Sequence, residues 1–173
     1  YSDGVRSWFG TSFVRAINTI TFKSDDAVDE IGLYFKLPVP VQVSGAIVKH
    51  TEVATTMAVK LYDSDGSTLL ANVTGLDVEQ VQAAGGIALV WFPSVQTLLA
   101  DTFYRLTYLP ETTTSIVIYE LEADAVATMD GWPMGPNWYR TDRANGGAWT
   151  QTTTKRPLIG LLVSALDEGG ARL

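Results

Sequence analysis

The chain has 173 residues, 46% hydrophobic and 18% charged, which suits one folded domain with its own core and excludes a disordered chain. It has no cysteine, which excludes disulfides and thiolate chemistry, and its net charge of −7 is the wrong sign for gripping nucleic acid through phosphates. The longest strongly apolar run, Leu158 to Leu166, is far short of the ~20 residues that cross a bilayer as a helix, so no membrane insertion is expected.

No charged start leading into an apolar stretch marks a signal peptide. The abrupt opening at Tyr1 is compatible with a piece of something longer, and residues 1–15 read as an extended arm. From there period-2 alternation dominates. Ala16 to Phe22 presents Ile20 and Phe22 on one face, and Asp29 to Phe35 sets Ile31, Leu33 and Phe35 against Glu30, Gly32 and Tyr34. Two prolines in Leu37-Pro-Val-Pro-Val41 remove ladder donors, so this stretch is an extended connection into a strand from Val41 to His50, with a bulge at Ser44-Gly45.

Met57 to Asp63 alternates again, and Asp63-Ser-Asp-Gly-Ser67 supplies a polar turn before Leu69, Ala71 and Val73; this is the clearest hairpin. Ile87 to Phe92, Thr102 to Leu109, Ser115 to Leu121 and Pro157 to Leu166 complete about nine strands. Only Val78 to Ala84 and Glu122 to Met129 have helical composition. The pattern predicts one all-β domain over 1–173, an antiparallel β-sandwich of jelly-roll type, with a long aromatic-rich loop before the last strand.

That loop, Asp130 to Arg156, holds three tryptophans, a tyrosine and three arginines among glycines and prolines, without a period. Large aromatics on a loop either fold back as lids or present a recognition surface. As a glycan platform, Trp132, Trp138 and Tyr139 would stack on sugar rings while Asn137, Arg140 and Asp142 orient hydroxyls. As a protein interface, the same aromatics and arginines are the enriched types. As a lid, Trp149 is the best placed, because Gly146-Gly147 allows a sharp turn before it. Arg156, fixed by Pro157, is expected to be better preorganised than Arg143 in the loop and to pair with a carboxylate.

Catalytic signals are weak. His50 is the single histidine and reads as a strand end at the surface; no nucleophile elbow or zinc spacing accompanies it. Asp25, Asp26 and Asp29 could supply oxygen ligands to Ca²⁺, against the reading of a solvated turn. Asp63-Ser-Asp65-Gly lacks the later ligands of a calcium loop. Asp130 and Asp142 could be imagined as a glycosidase pair, but nothing in their spacing singles them out. The sequon Asn72-Val-Thr74 lies inside a predicted strand.

Glu30-Ile-Gly-Leu-Tyr-Phe35, Val59-Lys-Leu-Tyr-Asp-Ser-Asp-Gly66, Phe103-Tyr-Arg-Leu-Thr-Tyr108, Arg140-Thr-Asp-Arg, Gly146-Gly-Ala-Trp-Thr150 and Thr154-Lys-Arg-Pro-Leu-Ile-Gly160 together resemble phage and metagenomic virion-type β-sandwich proteins. The resemblance implies a non-enzymatic, capsid- or tail-associated component without a cofactor. It implies a homo-oligomer, or contacts with other virion proteins, and a place in the virion or outside the cell. Comparable strand patterns occur in jelly-roll modules of carbohydrate-active proteins, which keeps a carbohydrate-binding module as the alternative.

Overall fold

The structure, a computed structural model, describes residues 14–50, 55–77, 87–123 and 138–166. All its elements are strands: β1 (Val14–Phe22), β2 (Glu30–Lys36), β3 (Val41–Lys49), β4 (Thr56–Tyr62), β5 (Leu69–Asp77), β6 (Ile87–Leu98), β7 (Phe103–Pro110), β8 (Ile116–Ala123), β9 (Trp138–Arg143), β10 (Thr150–Thr152), β11 (Lys155–Pro157) and β12 (Ile159–Leu166). Every pairing is antiparallel, as the alternating patterns lead one to expect. The chain is an all-β, multi-sheet protein with the layering of a β-sandwich.

The first eight strands pair in a nested series, β1 with β8, β2 with β7, β3 with β6 and β4 with β5. The centre of the nest is the 63–68 turn. Asp65 accepts the backbone N–H groups of Ser67 and Thr68 and the Thr68 hydroxyl, and Gly66 takes φ +70°. These bonds favour the charged carboxylate, Thr68 most of all, and hold Asp65 far below the ordinary carboxylate range. The acidic turn is a hairpin device, as its sequence suggests.

One layer is the six-stranded sheet β10-β9-β2-β7-β4-β5. The other is two three-stranded sheets, β1-β8-β11 and β12-β3-β6, which meet at the His50–Ile118 bridge. The strand from Lys155 to Leu166 runs along both, pairing with β8 before Leu158 and with β3 after it. At Leu158 the N–H donates to Tyr119 and the carbonyl accepts from Lys49, so a seam between the two sheets lies there.

Alternation places the core. Ile31, Leu33 and Phe35 of β2, Leu106 and Tyr108 of β7 and Met57, Val59 and Leu61 of β4 face Val41, Val43, Ala46 and Val48 of β3 and Ile116 and Ile118 of β8 in one apolar cluster. The register breaks next to Ser44, between Val43 and Gly45, where the bulge is expected.

Several expectations need correction. The 130–156 segment is not one loop: β9, β10 and the start of β11 lie within it. Glu122 and Ala123 are the end of β8 rather than the start of a helix, and Val14 and Arg15 begin β1 rather than close an arm. Residues 1–13, the 78–84 helical stretch, Trp132, Asn137 and Asp130 lie outside the described residues.

Candidate functional site

β9 separates the residues that its sequence sets side by side. Trp138, Arg140 and Asp142 stand opposite Phe35, Leu33 and Ile31, on the core side. Tyr139, Thr141 and Arg143 stand opposite Tyr34, Gly32 and Glu30, on the outer side. Trp138 packs on Phe35, with ring centroids 5.2 Å apart. Trp138 and Tyr139 therefore do not form one stacking platform, because neighbours on a strand point to opposite faces.

Arg140 enters the sandwich as part of an ionic cluster. Glu120, fully buried, takes Lys155 Nζ at 2.8 Å and Arg140 Nη1 at 3.5 Å. Arg140 Nε also lies 3.1 Å from Asp142, although its N–H is not aimed at that oxygen. Asp142 is held in turn by the Thr150 hydroxyl at 2.6 Å. A carboxylate so engaged is a structural anchor for β9 and β10.

The outer face of the six-stranded sheet carries a second polar constellation. Glu30, 2% exposed, accepts from the Tyr62 hydroxyl (2.9 Å), the Thr107 hydroxyl (2.6 Å) and Arg143 Nε (2.8 Å). Above it the rings and guanidinium groups alternate. Arg105 lies over Tyr34 at 4.4 Å and 5.2 Å from Trp149; Arg143 lies 4.2 Å from Trp149 and 5.1 Å from Tyr62. Each contact of this kind contributes about 0.5–2 kcal/mol, more where water is excluded.

Trp149 reaches this position because Asn145 and Gly146 both take positive φ, in a tight turn closed by Gly147 N–H to the Ala144 carbonyl at 2.8 Å. Its indole N–H then donates to the Gly66 carbonyl at 2.8 Å. Trp149 is thus a lid, over the polar outer face rather than over the core. Burial, and next the charge of Arg143, lower the pKa of Arg105 from its ordinary value.

Arg143 and Arg156 reverse their expected ranking. Arg143 ends β9 and is fixed by Glu30 and by two rings, not loose in a loop. Arg156 has no carboxylate partner among the described residues. Its Nη1 donates to the carbonyls of Thr153 and Lys155, and its guanidinium lies 5.4 Å from the Tyr139 ring centroid.

His50 ends its strand as expected, but at 1% exposure it is interior rather than superficial. The acidic turn disperses its carboxylates. Asp25 pairs with Lys23, Asp26 accepts the Lys23 N–H, and Asp29 accepts the Asn145 N–H. Among the described residues no three His, Asp or Glu side chains converge as metal ligands.

The feature that sequence reasoning passed over is β6. Ile87, Leu89, Trp91 and Val95 of this edge strand are all exposed, Trp91 at 63%, while Ala88, Val90 and Phe92 fill the core side. Val163 on β12 adds to the exposed apolar surface of the same sheet. The signal was present: Ile87 to Phe92 is apolar on both faces, a composition that normally means cover on both. No known protein family, curated protein or solved structure matches this chain.

Proposed function

We propose that this chain is a non-enzymatic structural or adhesion module of a virus particle, working through protein–protein contacts on the outer face of β12-β3-β6. The observation that carries the reading is the row Ile87, Leu89, Trp91 and Val95, bare along one face of an edge strand. Contiguous exposed apolar surface marks interaction sites in folded proteins, and tryptophan is the residue type most enriched at binding hot spots. Pro93 and the offset between Trp91 and Gln96 in the β3 pairing disfavour simple strand addition at this edge. The contact that fits is face-to-face packing, which sets apolar sheets about 10 Å apart.

The jelly-roll assignment belongs to the same proposal. The nested pairs, read across the His50–Ile118 bridge, give the strand orders β1-β8-β3-β6 and β2-β7-β4-β5. Two four-stranded sheets wound in this way are the double-sheet architecture that virus capsid and lectin domains use. Here β9 and β10 extend one sheet, and β11–β12 lies against β8 and β3 of the other. A virion or extracellular location follows from this reading.

The first partner to test is a second copy of the chain. Sedimentation of the purified domain over a wide concentration range is expected to give self-association that Trp91→Asp abolishes without lowering the melting temperature. A monomer that also captures no particle protein overturns the reading. Glycan-array binding lost on Trp91→Ala would move it to a carbohydrate-binding module.

A further inference from the structure

Arg156 is 8% exposed, sits at the centre of β11, and has Leu121 as its cross-strand partner. The nearest buried carboxylate on β8, Glu120, is already taken by Lys155 and Arg140. What Arg156 has instead are two carbonyls on Nη1 and the face of Tyr139, while its buried Nε finds no hydrogen-bond partner among the described residues. Burial lowers its pKa from the ordinary arginine value, with Tyr139 acting the other way. Taking a guanidinium out of water without an anion is unfavourable, and one donor left unused adds to the cost.

This side chain lines a pocket of about 370 Å³ beside the seam where the Lys155 to Leu166 strand passes from one sheet to the other. Leu33 and Trp138 of the six-stranded layer and Val48, Ile87, Leu121 and Ile159 of the opposite one supply an almost wholly apolar lining. Lys49, whose ammonium lies 5.7 Å from the Tyr119 ring centroid, is the other cation among the lining residues. The size falls at the low end of the ~300–1,000 Å³ typical of small-molecule sites.

We propose that this pocket binds a small apolar monocarboxylate, with Arg156 taking the carboxylate and the apolar lining taking the hydrocarbon. A carboxylate on the Nε edge makes a charge-assisted hydrogen bond and supplies the counter-ion that the fold withholds. A monoanion fits better than a phosphate. Part of the guanidinium is already used on carbonyls, and an acidic chain of net charge −7 offers little further attraction to a dianion.

The test is calorimetric titration of the whole chain with octanoate, with octan-1-ol as its uncharged counterpart and inorganic phosphate as an anion without a tail. Octanoate is expected to bind at one molecule per chain, about tenfold or more tighter than octanol, with no phosphate binding. In Arg156→Met, octanoate is expected to fall to the affinity of octanol. A second readout needs no variant: on octanoate addition the Trp138 indole and one arginine Nε–H resonance of the labelled wild-type chain shift together. Equal binding of octanoate and octanol overturns the proposal. So does failure of octanoate to bind the folded chain, or a shift map centred on Trp91 instead of Trp138. Of the exposed β6 row only Ile87 also lines the pocket, and Leu89, Trp91 and Val95 do not, so failure here leaves the interface reading standing.

Discussion

On the outer face of the six-stranded sheet, Glu30, Tyr34, Tyr62, Arg105 and Arg143 are held under Trp149, which a tight turn brings down over them. On the outer face of β12-β3-β6, Ile87, Leu89 and Trp91 stand in solvent. Folding by a single copy usually leaves the opposite result, with charges wet and aromatics covered. On the polar face Glu30 pairs with Arg143 and accepts the Tyr62 and Thr107 hydroxyls, and Arg105 and Arg143 stack on rings. The apolar face gains nothing from exposure, since each Å² left in water forgoes about 25 cal/mol. On the function proposed above, this difference makes β12-β3-β6 the side of the molecule that would meet a partner.

Substitutions on the two faces should therefore behave in opposite ways. The largest effect is expected from Glu30→Ala, which strips Arg143, Tyr62 and Thr107 of their shared acceptor. Leaving a buried charge unpaired costs about 3–5 kcal/mol, read as a fall in the urea midpoint. Arg143→Ala should follow at about 2–4 kcal/mol, because Glu30 then keeps only neutral donors. Arg156→Ala, which breaks no ion pair, should cost about 1 kcal/mol through its ring contact. If Arg156→Ala proves the more damaging of the two, the polar face is not the rigid one.

Gly66→Ala should cost about 1–3 kcal/mol. Its φ is +70°, and a Cβ there would lie 2.5 Å from Arg105 Nη1 and 3.0 Å from Trp149 Nε1. A loss of thermal stability with a matching loss of Trp149 fluorescence anisotropy would tie turn and lid together. An unchanged melting temperature would separate them.

The smallest expected effect is on pH dependence. Burial first, then the Glu30 carboxylate, raise the Tyr62 hydroxyl above its ordinary value of 10.0. The folded chain holds that proton more tightly, so this contribution is complete below pH 10 and lost as pH rises through 10 towards the higher folded value. Burial acts on Tyr108 with the same sign. Urea midpoints followed from about pH 9 to 12 should fall less steeply in Tyr62→Phe, which at neutral pH costs about 1 kcal/mol of hydrogen bonding. Identical slopes would contradict the coupling of Tyr62 to Glu30.

The contrast between the faces also separates what was legible in the sequence from what was not. β2, β4 and β7 announce themselves through strict alternation, and the 63–67 turn and the Ser44-Gly45 bulge follow from turn and bulge chemistry. β9 is silent because its core-side residues Arg140 and Asp142 are charged and are accommodated by Glu120 of β8 and by Thr150 of the adjoining β10. Hydrophobic periodicity cannot register a strand whose burial depends on ionic partners. The Arg143–Trp149–Tyr62 stack was hidden for a similar reason, since nothing local links residue 62 to residue 149. β6 was legible as a strand, but whether its second face is covered depends on what lies across the sheet.

The most direct measurement is sedimentation velocity on the wild-type chain beside Leu89→Asp/Trp91→Asp, with melting curves for both. Self-association of the wild type, a monomeric double variant and equal melting temperatures of the monomers are the predicted result. A wild type that stays monomeric at every concentration and binds no particle protein would contradict the assignment of β12-β3-β6 as the contact face.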